Sequence, residues 1–237
     1  MIDKMIGASE AAIYGVSYNL AAVITLFVNA INNSFVPTLY ESLKSKKCEN
    51  IKKVAAFLAI FMAGLICVFM LFGPEILTVF VAPEYIKAKW IFPPVAASIF
   101  FTFIYLFYVN VEFYFEKTNY VMFVSVLGAV VNIILNLVFI KKYGFIAAGY
   151  TTVFSYIVFC FAHYLLYKYI AKKEKTGNVY NDGIFMILGI AVLAFMLICI
   201  LLYKFNIVRY ILIALIAVFA VIFRKKLLYA FKKALNK

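Results

Sequence analysis

The chain has 237 residues, of which 67% are hydrophobic and 14% charged, and it carries a formal net charge of +13. Soluble domains hold roughly 45–50% apolar and about 25% charged residues, so no water-soluble fold could hide this apolar excess. In lipid, backbone polar groups must be satisfied inside helices or closed barrels, and the long unbroken apolar runs here select helices.

A span needs about 20 mostly apolar residues, and seven segments approach or meet that: 13–37, 54–72, 90–111, 120–140, 145–166, 184–203 and 207–223. Before the first, Asp3, Lys4 and Glu10 interrupt any short apolar core, so no cleavable signal segment is expected. The first span carries a polar stripe. At 100° per residue, Tyr14, Tyr18, Thr25, Asn29 and Asn32 fall within about 60° of one another, while Leu20, Leu26 and Phe27 point elsewhere. Asn33 lies just beside the stripe, and three amides suit a helix that lines a wet cavity, although Asn and Thr also bond neighbouring helices. Gly73 and Pro74 end the second span, and the stretch 76–81 that follows is too short to cross. With Pro83, Tyr85 and Trp90 nearby, it is expected at a membrane interface, where aromatic rings are favoured. Pro93 and Pro94 fall in the first turn of the third span, where missing amide donors cost least.

Glu112 and Glu116, close to the end of the third span, read first as a solvated helix end beside Lys117 and Asn110. A proton or ion site is the alternative. On the fourth span Ser125, Gly128, Ala129, Asn132 and Asn136 share a face, with Thr118 below them. Packing accounts for Gly128 and Ala129, and cavity lining or packing for Asn132 and Asn136. On the fifth, Ala148, Thr152, Ser155, Tyr156 and His163 cluster. His163, the single histidine, reads as an interfacial or packing residue beside Tyr164, Tyr167 and Lys168, with a proton relay as the sharper possibility.

Lys and Arg divide unevenly between alternate loops. One side collects Lys44, Lys46, Lys47, Lys52, Lys53, Lys117, Lys168, Lys172, Lys173, Lys175 and the tail residues Arg224, Lys225, Lys226, Lys232, Lys233 and Lys237. The other holds Lys4, Lys87, Lys89, Lys141, Lys142, Lys204 and Arg209. The first side, and with it the C-terminus, is expected to be cytoplasmic. That bias accounts for the basic excess without a nucleic-acid partner.

Cys48, Cys67, Cys160 and Cys199 have no CxxC spacing, and three lie inside apolar runs, so neither disulfides nor a metal site is expected. There is no Gly-rich phosphate loop, no Asp-x-Asp pair and no GxSxG or HExxH run, so neither catalysis nor a cofactor is expected.

The order of residues in DKMIGASEAAIYGVSYNLAAVITLFVNAINNSFVPTLYESL, from Asp3 to Leu43, resembles oligosaccharide-lipid flippases of the multidrug/oligosaccharidyl-lipid/polysaccharide exporter superfamily. The matching positions are Asp3, Lys4, Gly7, Ile13, Tyr14, Gly15, Ser17, Tyr18, Asn29, Ala30, Ile31, Asn32, Phe35 and Pro37. The later runs FGPEILTVFVAPEYIKAKWIFPPVA and NIILNLVFIKKYGFIAAGYTTVFSY are similar to the same family. The resemblance implies an all-α membrane bundle that corresponds to the family's C-terminal half. Residues 1–170 would supply five spans of a second lobe, and 171–237 two further helices and a basic cytoplasmic tail. It also implies transport of polyprenyl-diphosphate-linked oligosaccharides across the cytoplasmic membrane for surface polysaccharide assembly. The partners would then be the lipid bilayer, the lipid-linked oligosaccharide, and an N-terminal lobe or other polysaccharide-assembly membrane proteins. Tyr14, Tyr18, Thr25, Asn29, Asn32, Asn132 and Asn136 are the candidate cavity lining, and Glu112 and His163 the candidate coupling residues. A multidrug or cation exporter of the same superfamily, a membrane-embedded glycan polymerase or ligase, and a non-functional fragment are the rival readings.

Overall fold

The computed structural model describes residues 1–216 together with 218 and 222. A four-residue helix, α1 (Ile2–Met5), precedes α2 (Ala8–Lys44), α3 (Glu49–Leu71) and the short α4 (Gly73–Phe80). A 3-10 segment, Pro83–Trp90, leads into α5 (Phe92–Tyr114), α6 (Thr118–Tyr143), α7 (Ala147–Lys173) and α8 (Asp182–Leu202). Six of these helices, α2, α3, α5, α6, α7 and α8, are long and apolar enough to cross a membrane. The seventh expected span is represented by α9 (Asn206–Ile216), which is shorter than a span; its expected continuation to Phe223 lies outside the described residues.

Two boundaries differ from expectation for physical reasons. The first span was expected to stop at Pro37, yet α2 runs on to Lys44 with Pro37 in its interior. The proline removes one amide donor, but Leu39 and Leu43 beyond it are buried in the core, and their packing holds the extra turns. At 1.5 Å per residue, 37 residues extend about 55 Å, well past a hydrocarbon layer of about 30 Å. The 76–81 stretch is too short to cross, as expected. It forms most of α4, and the 3-10 segment after it tucks under α2, where Ser17 Oγ donates to the Ala88 carbonyl at 2.6 Å.

Helix α5 is the centre of the bundle, buried along nearly its whole length from Phe92 to Glu112 and packed by α2, α3, α7 and α8. Helix α6 lies at the edge, with only Val121 and Ile140 buried. Its outer face exposes Met122, Phe123, Val126, Ile133, Ile134 and Val138, and α8 exposes Met186, Ile187, Ile190 and Leu201. Apolar surface on that scale is the signature of lipid contact rather than water. The protein is therefore an all-α, multi-pass membrane bundle.

Its two ends are distinct. Lys46, Lys47 and Lys52 lie beside Thr176, Gly177 and Asn178, and Lys117 pairs with Glu174 at 3.7 Å, so the α2–α3, α5–α6 and α7–α8 connections share one end. At the other end α1 packs near Ile140 and Phe145, and Glu75 of α4 meets Arg209 of α9.

Candidate functional site: a polar cleft and a buried ion pair

Two polar assemblies interrupt the apolar packing of α2, α5, α6 and α7. The first is a cleft of about 360 Å³ between α2, α6 and α7, lined by Tyr14, Tyr18, Ser125, Gly128, Ala129, Asn132, Thr152, Ser155, Tyr156 and Phe159. The stripe on α2 brings Tyr14 and Tyr18 one turn apart, and their rings stack with centroids 6.2 Å apart. Tyr14 is fixed by a 3.1 Å hydrogen bond between its hydroxyl and Thr152 Oγ1. Across the cleft a polar ladder joins α6 to α7. Asn136 Nδ2 donates to Asn132 Oδ1 at 2.9 Å, Asn132 Nδ2 donates to Ser155 Oγ at 3.2 Å, and Thr151 donates to Asn136 Oδ1.

Asn132 both bonds α7 and faces the cleft. Asn136 is a rung of the ladder and is not among the cleft-lining residues. The remainder of the α2 stripe divides. Asn32 Oδ1 accepts from Asn110 Nδ2 at 2.7 Å, a seam with α5, whereas the hydroxyl of Thr25 donates to the Ala22 carbonyl within its own helix. Asn29 is exposed. An exposed amide at membrane depth calls for water or a further protein surface against it.

The second assembly joins Glu112 of α5 to His163 of α7, with Nδ1 and Oε2 2.8 Å apart and both side chains wholly buried. The reading of Glu112 as a solvated helix end is overturned, and His163 is enclosed by protein, in keeping with the packing side of its reading. The cause is local: α5 stops at Tyr114, so exposed Glu116, at φ 55°, leaves the helical face that Glu112 keeps. Tyr105 stacks on the imidazole at 5.6 Å and Phe159 meets it edge-on at 4.5 Å. Glu112 Oε1 and His163 Nε2 are buried without a hydrogen-bond partner among the described residues.

Several polar contacts had no signal in the spacing of residues along single helices. Arg209 pairs with Glu75 between the rings of Tyr203 and Tyr210. Lys168 binds Asp182 and donates to Asn178 Oδ1 at 2.7 Å, closing the α7–α8 connection. In chemical terms the cleft offers hydroxyls, amides and aromatic faces, and among the described residues no charged side chain lines it. Among the described residues no group of three His, Cys, Asp or Glu could hold a metal ion.

No family model matches the chain, and no solved structure matches it. An "Uncharacterized membrane protein" of Haemophilus influenzae is 30% identical over 126 residues, which is 52% of this chain and 31% of that protein. "Lsg locus putative protein 1" of the same organism is 24% identical over 127 residues, 53% of this chain and 32% of that protein. The matched part thus spans about a third of the length of these relatives.

Proposed function

We propose that the chain is one lobe of a transporter, not an enzyme, that moves polyprenyl-diphosphate-linked oligosaccharides across the cytoplasmic membrane for surface polysaccharide assembly. The observation that carries the reading is the uncharged cleft between α2, α6 and α7. Its hydroxyls and amides match the hydroxyl groups of a glycan, and the stacked Tyr14 and Tyr18 rings offer aromatic surface for a sugar face. The residues that resemble flippases supply both tyrosines. A cation exporter of the same superfamily is disfavoured because Glu112, the buried carboxylate among the described residues, is paired with His163 and does not line the cleft. The exposed Asn29 amide supports a second lobe or a water-filled pathway on the outer face of α2. The basic end of the bundle is the cytoplasmic one in this account.

The test is restoration of surface polysaccharide in cells that lack a flippase. Co-expression of the chain with a separately encoded first lobe should restore export, and the chain alone should insert without restoring it. Full export by the chain alone would contradict the one-lobe reading, and no export from any combination would contradict transport of this cargo.

A further inference from the structure

The cleft and the Glu112–His163 pair share one side chain. Phe159 lines the cleft, its ring meets the imidazole at 4.5 Å, and it rests on Gly128 of α6 so closely that a Cβ there would lie 2.6 Å from Phe159 Cδ2. Behind the ring, a carboxylate and an imidazole 2.8 Å apart need one proton between them. Held on either partner, that proton leaves the pair without net charge, the condition a low-dielectric interior favours. With that proton held between Oε2 and Nδ1, the imidazole's own N–H sits on Nε2 and Oε1 keeps a free lone pair. Oε1 and Nε2 remain buried without partners among the described residues, and two such atoms inside a bundle require an explanation.

We propose that Glu112 and His163 form a proton-binding site that exchanges with water in the cleft past the ring of Phe159. In the closed arrangement the pair holds one proton. When the ring turns off Gly128, cleft water reaches the pair and a hydronium ion gives up a proton. A bond forms to Oε1, which carries the free lone pair, the shared proton settles on Nδ1, and the O–H bond of the hydronium breaks. The product is a monocation with neutral Glu112 and protonated His163. Loss of the same proton to cleft water reverses the step, and no electrons are exchanged.

Surrounding ionisable groups are engaged elsewhere or lie at helix ends. Tyr105 of α5 stacks on the imidazole, and Tyr108 donates to Asp182 of α8 at 3.4 Å. On α7, Tyr164 and Tyr167 pack on Tyr108, while Cys160 is a buried thiol and Lys168 is bound by Asp182. Lys117 is paired with Glu174. From α2 come Tyr14 and Tyr18 of the cleft and Tyr40 at the ring of Tyr114. Helix α6 carries its ionisable groups, Tyr120, Lys141, Lys142 and Tyr143, near its two ends. Helix α3 brings Cys67 and the Glu49–Lys52 pair, α8 brings Cys199, and the 3-10 segment with Glu84, Tyr85, Lys87 and Lys89 adjoins the opposite end of α5.

The proposal stands apart from the transport reading because its test reads protonation and not export. His163 is the single histidine, so imidazole nitrogen NMR of the full chain in lipid vesicles reports it alone. On acidification the neutral pair takes up one proton, so either these signals move to those of a doubly protonated ring or, where the ring is doubly protonated from the start, a carboxylic-acid band develops in the infrared spectrum. The carboxylic-acid band of the protonated pair should be missing in Glu112→Gln. Phe159→Leu should speed exchange of the ring N–H with deuterated buffer several-fold, with Phe159→Met in its place if the leucine variant does not reconstitute. Ring signals and acid band that both stay unchanged, a band that persists in Glu112→Gln, or exchange unchanged by either Phe159 variant would each overturn the proposal.

Discussion

Asn29 and Asn32 sit three residues apart on one stripe of α2, yet the same replacement should affect them differently. Asn32→Leu strips Asn110 Nδ2 of its acceptor. Asn110 is buried, and an orphaned buried donor costs about 1–3 kcal/mol. Its protein abundance and melting temperature should therefore both fall. Asn29 is exposed, so Asn29→Leu should leave stability unchanged and reduce glycan export when paired with a first lobe. Equal loss of stability in both variants would show that Asn29 is also a packing residue. The helical stripe was legible in the sequence because a 3.6-residue period puts these side chains on one side. What each one meets was not legible, since that depends on where α5 and α7 cross α2.

At the scale of elements, helix identities followed from apolar run length and from the Gly and Pro positions. Pro93 and Pro94 open α5 as their missing amide donors require, and Gly144, at φ 75°, ends α6 with a backbone conformation that side-chain-bearing residues rarely adopt. The continuation of α2 through Pro37 was not legible, because it rests on tertiary burial of Leu39 and Leu43. Three helices at the basic end share a further device. Lys46, Glu116 and Lys175 follow α2, α5 and α7 with φ of 56°, 55° and 54°. In each case the next residue's amide reaches back: Lys47 to the Ser42 carbonyl, Lys117 to Glu112 and Thr176 to Ala171, at 3.0–3.1 Å. This is the left-handed helix stop that usually carries glycine. A side chain in that conformation costs about 1–2 kcal/mol, so Lys175→Gly should stabilise the protein by up to about 1 kcal/mol in detergent unfolding. Lys175→Pro should destabilise it, because the proline ring fixes φ near −65°. The opposite ordering would show that the connection is held by the Lys175 side chain instead.

For the whole molecule, the charge asymmetry read from the loops matches the grouping of connections in the structure. Lys47 belongs to the end that contains Asn178, and Lys87 lies on the 3-10 segment before α5. With Cys48, Cys67, Cys160 and Cys199 replaced, a thiol introduced by Lys47→Cys should resist an impermeant reagent added to intact cells, and one introduced by Lys87→Cys should react. Reversed labelling would invert the orientation. The Glu112–His163 pair and the Arg209–Glu75 pair were beyond sequence reasoning in a different sense. Their partners are 51 and 134 residues apart, and periodicity along one helix carries no information about such crossings. The central claim is that the cleft receives a lipid-linked glycan, and photo-crosslinking in vesicles that contain a polyprenyl-diphosphate oligosaccharide tests it most directly. A benzophenone-bearing amino acid in place of Tyr18 should capture the glycan lipid, while the same group in place of exposed Phe123 on the outer face of α6 should capture only bulk lipid. Equal capture at the two positions, or none at Tyr18, would contradict the account.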